Sequence, residues 1–381
     1  MSDDRRSPRP VIGTAVSAAV AAAMPGFLAG ALSVQIRGEF GVPEGRYGWA
    51  MGGYFLAATA GSILLGRLAQ RVGPRRQLQV ALIVAAGVDL AVAAFADRFV
   101  LLVAFLAVAG FCNAGAQTAV NLALARAGLP KLGLAIAIKQ SGMPAASMLS
   151  GIAVPAIALT LGWRWAFVFV AAISIAAALA VRSVVEATPV TVVAHDRPIS
   201  PTRTLVVAAV AGAFLSFGAG ALNAWVVESG VDSGLGEGTA GLMLSTGAGL
   251  GIAIRVVWGI RLDRRGDRPF RTAGLMALVG AAGMAVLGAR IAPVHVAATV
   301  VAFAAGWIWP VFTNFGIVRA NEGHAAAATG ITQTGVYVGV FAAPLVTGAL
   351  IEAYGFPVMW AVAAAATAIG AAVAIRIADR F

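Results

Sequence analysis

Helix-length apolar runs alternate with short polar stretches along this chain. Segments at approximately 11–35, 47–66, 77–96, 99–122, 133–160, 164–182, 204–227, 239–259, 272–289, 294–318, 325–352 and 357–377 are dominated by Ala, Val, Leu, Ile, Gly and Phe. A bilayer core of about 30 Å needs roughly 20 such residues per helix. The pattern therefore predicts an all-α membrane protein with twelve transmembrane helices. The first run follows a basic start, as a secretory signal does, but it is long and carries no convincing cleavage site, so it reads as the first membrane helix. Only residues 183–203 form a substantial break. Pro189, Pro198 and Pro201 disfavour a helix there, which predicts a linker between bundles at 1–182 and 204–381.

Superimposed on the hydrophobic pattern is a repeat. Gly48, Gly66, Arg71, Gly73, Arg75, Asn121, Arg126, Ile138, Gln140, Gly142 and Gly162 recur as Gly241, Gly259, Arg264, Gly266, Arg268, Asn314, Arg319, Ile331, Gln333, Gly335 and Gly355, at one ungapped offset of 193 residues. The matches are mostly Gly, amide and Arg rather than the abundant Ala and Val, so composition does not account for them. Two membrane-embedded halves of like fold are implied, an arrangement many transporters share.

Composition agrees. The chain is 60% apolar and 11% charged, where soluble domains carry about 25% charged residues. The net charge of +11 is explained by position. Of the 27 Lys and Arg, only Arg37, Arg46, Arg98, Arg164 and Arg290 fall in one set of loops, and all the others except Lys139 and Arg255 fall in the opposite set or the terminal segments. This positive-inside asymmetry predicts that both termini and the 183–203 linker are cytoplasmic in a cell (inner) membrane, and it removes the case for a nucleic-acid partner. Cys112 is the only cysteine, so no intramolecular disulfide is expected.

The loop after the second segment reads Gly66-Arg67-Leu68-Ala69-Gln70-Arg71-Val72-Gly73-Pro74-Arg75-Arg76, and its repeat reads Gly259-Ile260-Arg261-Leu262-Asp263-Arg264-Arg265-Gly266-Asp267-Arg268. At these loops the chain resembles the major facilitator superfamily, whose signature here is G-x-L-A-D-R-x-G-R-R. With the six-plus-six layout, the resemblance covers essentially the whole chain. It implies two six-helix bundles related by a pseudo-twofold axis, transport by alternating access, and an inner latch built from Gly66, Arg71, Gly73, Arg75, Gly259, Asp263, Arg264, Gly266 and Arg268. The glycines permit the tight turn, and the cations pair with an acid or a helix C-terminus. The acidic position of the first copy is Gln70, which implies a weaker latch in the N-terminal half.

Polar groups inside the apolar segments are the candidates for substrate chemistry. Lys139 lies about two turns inside the fifth segment, beside Gln140, and Arg255 lies in the eighth. A cation so placed is costly unless it meets a wet cavity or a partner, and snorkelling to the surface is the competing role. The resemblance places the fifth and eighth helices along the boundary between halves, where the two cations would clamp a carboxylate. Asn113, Gln117 and Asn121 recur every four residues, on one face of the fourth segment. The resemblance further implies that the first, fourth, seventh and tenth helices line the central cavity. That adds Asn223, Trp225, Trp307 and Asn314, with Gln333 and Tyr337 answering the fifth helix in the repeat. Amides also hold helices together and tryptophans anchor interfaces, so each has a structural alternative. Asp89 in the third segment is the one clearly embedded carboxylate and the candidate proton carrier, set against a structural role.

Three function classes remain in play. A secondary transporter of a small organic anion such as a carboxylate fits the repeats, the loops and the two cations. A multidrug or metabolite exporter fits the same fold, although the fifth segment holds only part of the family's antiporter pattern, Gly142, Gly151 and Val154-Pro155. An enzyme would need a His, Asp or Cys cluster, and a sensor an appended soluble domain, neither of which the sequence displays. The expectation is a monomeric, non-enzymatic transporter in the lipid bilayer. It would act on a small-molecule substrate, with a coupling ion or by exchange, and without a metal or other cofactor.

Overall fold

The computed structural model describes residues 8–126, 131–184, 201–265, 268–322 and 324–381, and the regular elements among them are all helical. The linker centre and Gly266 lie outside the described residues. The first half comprises α1 (Pro8–Ala31), α2 (Ser33–Phe40), α3 (Glu44–Val72), α4 (Pro74–Phe95), α5 (Phe99–Arg126), α6 (Leu132–Gln140), α7 (Gly142–Ala153), the short α8 (Leu159–Leu161) and α9 (Trp163–Val184). The second comprises α10 (Thr202–Asp232), α11 (Glu237–Arg265), α12 (Pro269–Leu287), α13 (Ala292–Val301), α14 (Trp309–Ala320) and α15 (Ala325–Arg376).

Several elements join into single crossings. Residues Leu132–Leu161 form one span from α6 to α8, and Ala292–Ala320 form one from α13 to α14. Each contains a π turn, at Val154–Ala158 and Ala302–Gly306. In the first of these, Pro155 has no N–H to give the α-helical ladder. The α3 helix crosses despite a 50° bend between Glu44–Ser62 and Leu64–Val72.

At 52 residues, α15 would be about 78 Å long if straight, more than twice the hydrocarbon thickness. It does not run straight. Gly355 interrupts it at φ 79° and ψ 175°, so α15 supplies two crossings, and with the bent α3 taken as one span the described residues hold twelve. Its counterpart by the repeat, Gly162, takes φ 99° and ψ 151° at the junction of α8 and α9. Only glycine enters this region of backbone space without strain, which is why the repeat keeps it at both turns.

Helix contacts follow the same pseudo-symmetry. The α3 helix packs along the first part of α15, and α11 packs along α6 and α7. Gly48 lies against the Pro344 carbonyl, and Gly241 lies against the Gly151 carbonyl. These two pairs are related by the 193-residue offset, so each half sends one helix across to grip the other. The fold is therefore two six-crossing bundles of like architecture. Arg67, Arg71, Arg75 and Arg76 flank the α3–α4 junction, and Arg264, Arg265 and Arg268 flank the end of α11. They mark one membrane face as basic.

Candidate functional site between the two halves

Lys139 is the eighth residue of α6, about 10 Å from its start. Its direction follows from residues three positions to either side. Ile136 packs into the apolar cluster of Trp309, Val311 and Phe312 on α14, while Gly142 abuts Ala19 of α1. At 100° per residue, Lys139 points midway between them, into the gap between α1 and α14. That direction is toward the boundary of the two halves, where α6 meets α11 and α14. The side chain is half-buried, and its ammonium donates to the Gln140 side-chain oxygen at 3.1 Å.

Arg255 is aimed inward by the same logic. One turn before it, Gly251 packs near Phe303, and one turn after it Gly259 meets Ala137 of α6. Arg255 therefore stands between α6 and the π turn that precedes α14. It is 1% exposed, so it does not snorkel. Its guanidinium donates to the Trp307 carbonyl and lies 5.3 Å from that ring's centroid. Its Nε and Nη1 donors have no partner among the described residues. Phe27 of α1 and Phe303 each stand 5.9 Å from Trp307, so the guanidinium rests on an aromatic shelf that reaches across the halves.

The two cations share a level. The contacts Gly133 with Asp263, Ala137 with Gly259 and Gly151 with Gly241 run antiparallel along α6, α7 and α11. That register sets Lys139 opposite residue 256, within a turn of Arg255. Among the described residues neither cation has a carboxylate partner. A buried cation without a counter-ion carries a large desolvation cost, and its free N–H groups require oxygen acceptors. The arrangement is chemically suited to an anion with an apolar or aromatic body.

The remaining sequence candidates divide. Asn113 is buried and accepts from Gln117 at 3.3 Å, Gln117 lies 3.5 Å from the Ala19 carbonyl of α1, and Asn121 is exposed. Asn223 accepts from Ser147 at 2.8 Å, a hydrogen bond that joins the halves. Trp225 is fixed by Thr347 at 2.8 Å and packs edge-on against Tyr47, which places it in a seal near the face opposite the basic one. Asn314 and Gln333 come together in a crevice of about 300 Å³, counting space open to solvent, with Trp309, Thr313 and Thr332. The indole nitrogen of Trp309 has no partner there. Tyr337 lies near Ser62 of α3, across the halves. Asp89 is fully buried in α4, near Tyr54 and Cys112 inside the first half, and neither of its oxygens has a partner among the described residues.

At the basic face, both Asp263 oxygens accept backbone N–H groups at the start of α6, from Gly133 at 2.7 Å and Leu134 at 2.9 Å. Gly73 takes φ 83° and ψ 154° at the α3–α4 junction. Arg71, Arg264 and Arg268 are exposed, and Arg75 and Gly66 are half-buried.

Sequence reasoning missed the charged seal at the opposite face. Arg37 pairs with Glu44 at 2.8 Å and with Glu228, Gln35 donates to Glu237, and Glu352 accepts from the Gly45 N–H at 3.1 Å. The partners lie up to 307 residues apart. Helix-end charges were visible in the sequence, but their pairing was not.

Comparison with known proteins agrees with this architecture. The family model of the Major Facilitator Superfamily matches residues 14–344, and the chain belongs to that superfamily of membrane transporters. It is also 29% identical over 277 residues to a chloramphenicol resistance protein of Streptomyces lividans, an alignment covering 69% of each chain.

Proposed function

We propose that the chain is a secondary transporter whose halves, residues 1–182 and 204–381, rock about the central boundary to carry a small organic anion such as a carboxylate. In this reading the basic face is cytoplasmic, both termini lie there, and the protein works as a monomer in the cell membrane. The observation that carries it is Arg255, buried with two unpartnered donors, level with Lys139 and beside Trp307. Asn113, Gln117 and Asn223 add neutral hydrogen bonds from the fourth and seventh crossings. Asp263 with the α6 start acts as the inner latch, and the glycine turns let the loops rearrange.

The second reading is a drug or metabolite exporter. The Phe27–Trp307–Phe303 shelf and the similarity to a chloramphenicol resistance protein favour it. A thermal-shift screen on purified protein with carboxylates, phosphates and hydrophobic cations separates the two. Stabilisation by carboxylates that disappears in Arg255→Gln supports the anion reading. Stabilisation by uncharged or cationic aromatics that persists in Arg255→Gln and Lys139→Gln supports the exporter.

A further inference from the structure

Asn314 and Gln333 belong to a crevice built from the second half alone, by α10, α12, α14 and α15. It measures about 300 Å³ counting space open to solvent, and none of Lys139, Arg255 and Trp307 lines it. Phe270, the second residue of α12, and Ile317, near the end of α14, place it toward the basic face. The cation pair does not use it. Two threonines, two amides and one indole stand between its apolar walls, with no charged group among the described residues that line it.

Trp309 is 3% exposed, yet its indole N–H has no partner among the described residues. A buried indole N–H ordinarily finds an acceptor, and one left bare carries the desolvation cost of the group. An oxygen supplied from outside the chain would remove that cost. Thr313 donates to the Trp309 carbonyl at 3.2 Å and Thr332 to the Thr329 carbonyl at 3.1 Å, which leaves both hydroxyl oxygens as acceptors. Asn314 donates to the Pro310 carbonyl at 2.8 Å, so its own oxygen is likewise an acceptor. The crevice thus offers a buried donor and several neutral acceptors, while an ion would enter without a counter-charge.

The 193-residue repeat makes this chemistry particular to the second half. It keeps the amides, Asn121 with Asn314 and Gln140 with Gln333, but sets Ala116 against Trp309, Gln77 against Phe270 and Lys139 against Thr332. In the first half the Gln77 amide donates to the Leu65 carbonyl and the Thr118 hydroxyl, at 2.9 Å each, and ties α4 to α3 and α5. In the second, the cation is gone and an open indole donor stands in the wall. We infer that the crevice is a second binding site, for an uncharged molecule that carries a carbonyl or hydroxyl oxygen on an aromatic or short apolar body. The oxygen takes the Trp309 N–H, Gln333 meets the polar group from α15, and Phe270 covers the apolar body. The site stands whether or not Arg255 receives an anion.

Benzamide is the probe, and its binding to the full chain in lipid nanodiscs is read by saturation-transfer difference NMR against empty discs. The wild type should bind it saturably, and should bind benzylamine, a cation of like shape, at least tenfold more weakly. Gln333→Leu and Trp309→Phe should each weaken benzamide by about threefold or more, as loss of one hydrogen bond does. Arg255→Gln should leave its affinity within about twofold, since that guanidinium lies outside the crevice. Unchanged affinity in Gln333→Leu, or in a Trp309→Phe protein that melts as the wild type does, overturns the inference. So does a loss in Arg255→Gln equal to that in Gln333→Leu, which would assign benzamide to the cation site. Equal affinity for benzylamine, or binding that never saturates, overturns it as well.

Discussion

Asp263 and Gly133 meet across the two halves, the carboxylate accepting the helix-start N–H at 2.7 Å. The same carboxylate takes the Leu134 N–H at 2.9 Å, so it caps α6 and complements the positive end of its dipole. The 193-residue repeat puts Gln70 at the equivalent place in the first half, where it is exposed and uncharged. Among the described residues, this contact between the halves is thus made at one of the two symmetry-related corners of the basic face. Asp263→Ala removes a carboxylate from the α6 N-terminus, a contact worth about 0.3–2 kcal/mol, up to a several-fold or larger shift in a two-state equilibrium. Spin-label distances across the basic face should lengthen in Asp263→Ala and shorten in Gln70→Asp. Unchanged distances in both would mean that the cap stabilises α6 without acting as a latch.

Gly241 tests whether close approach of α11 and α7 is needed. A Cβ there would stand 2.7 Å from the Gly151 carbonyl oxygen and 2.7 Å from Val154. Gly241→Val should push the helices apart and lower the thermal midpoint measurably, and Gly48→Val should do the same at the equivalent contact. Wild-type melting of both would show that the halves separate freely along these seams.

Gly162 isolates backbone strain from packing. It holds φ 99°, and nothing lies within 4 Å of a Cβ built on it. Gly162→Ala should therefore cost about 1–3 kcal/mol through conformation alone, read as a lower unfolding midpoint with substrate affinity unchanged. Gly73→Val, at φ 83° in the α3–α4 turn, should in addition slow transport.

The architecture was legible because its signals are local or periodic. Helix-length apolar runs gave the twelve crossings, and the glycines of the repeat marked the turns, as Gly162 and Gly355 demonstrate. The inward aim of Lys139 and Arg255 was only half legible. Their depth follows from sequence position, but facing depends on which neighbours Ile136, Gly142, Gly251 and Gly259 touch. The shelf at Phe27 and the Arg37–Glu228 bridge were not legible at all. An aromatic residue among many in an apolar run carries no distinguishing pattern, and an ion pair 191 residues apart has no sequence signature. Trp225 illustrates the converse, a residue on the expected helix whose indole is committed to Thr347 and Tyr47.

If the proposed anion reading holds, Lys139 and Arg255 should strengthen binding of the same ligand. Lys139→Gln is expected to weaken carboxylate binding by roughly 2–5 kcal/mol if the contact is fully desolvated. Lys139→Arg should restore part of it, because the planar fork differs in shape from an ammonium. Isothermal titration with a carboxylate that stabilises the wild type supplies the values. Equal affinity in all three proteins would remove Lys139 from the site.

The most direct test of anion recognition compares an aromatic carboxylate with its primary amide, two ligands of nearly the same shape that differ in charge. Their affinities are measured by isothermal titration for the wild type and for Arg255→Gln. The wild type should prefer the carboxylate by at least tenfold, and Arg255→Gln should abolish most of that preference while still binding the amide. Equal affinities for the two ligands in the wild type, or a preference that Arg255→Gln leaves intact, would contradict a site built around that buried guanidinium.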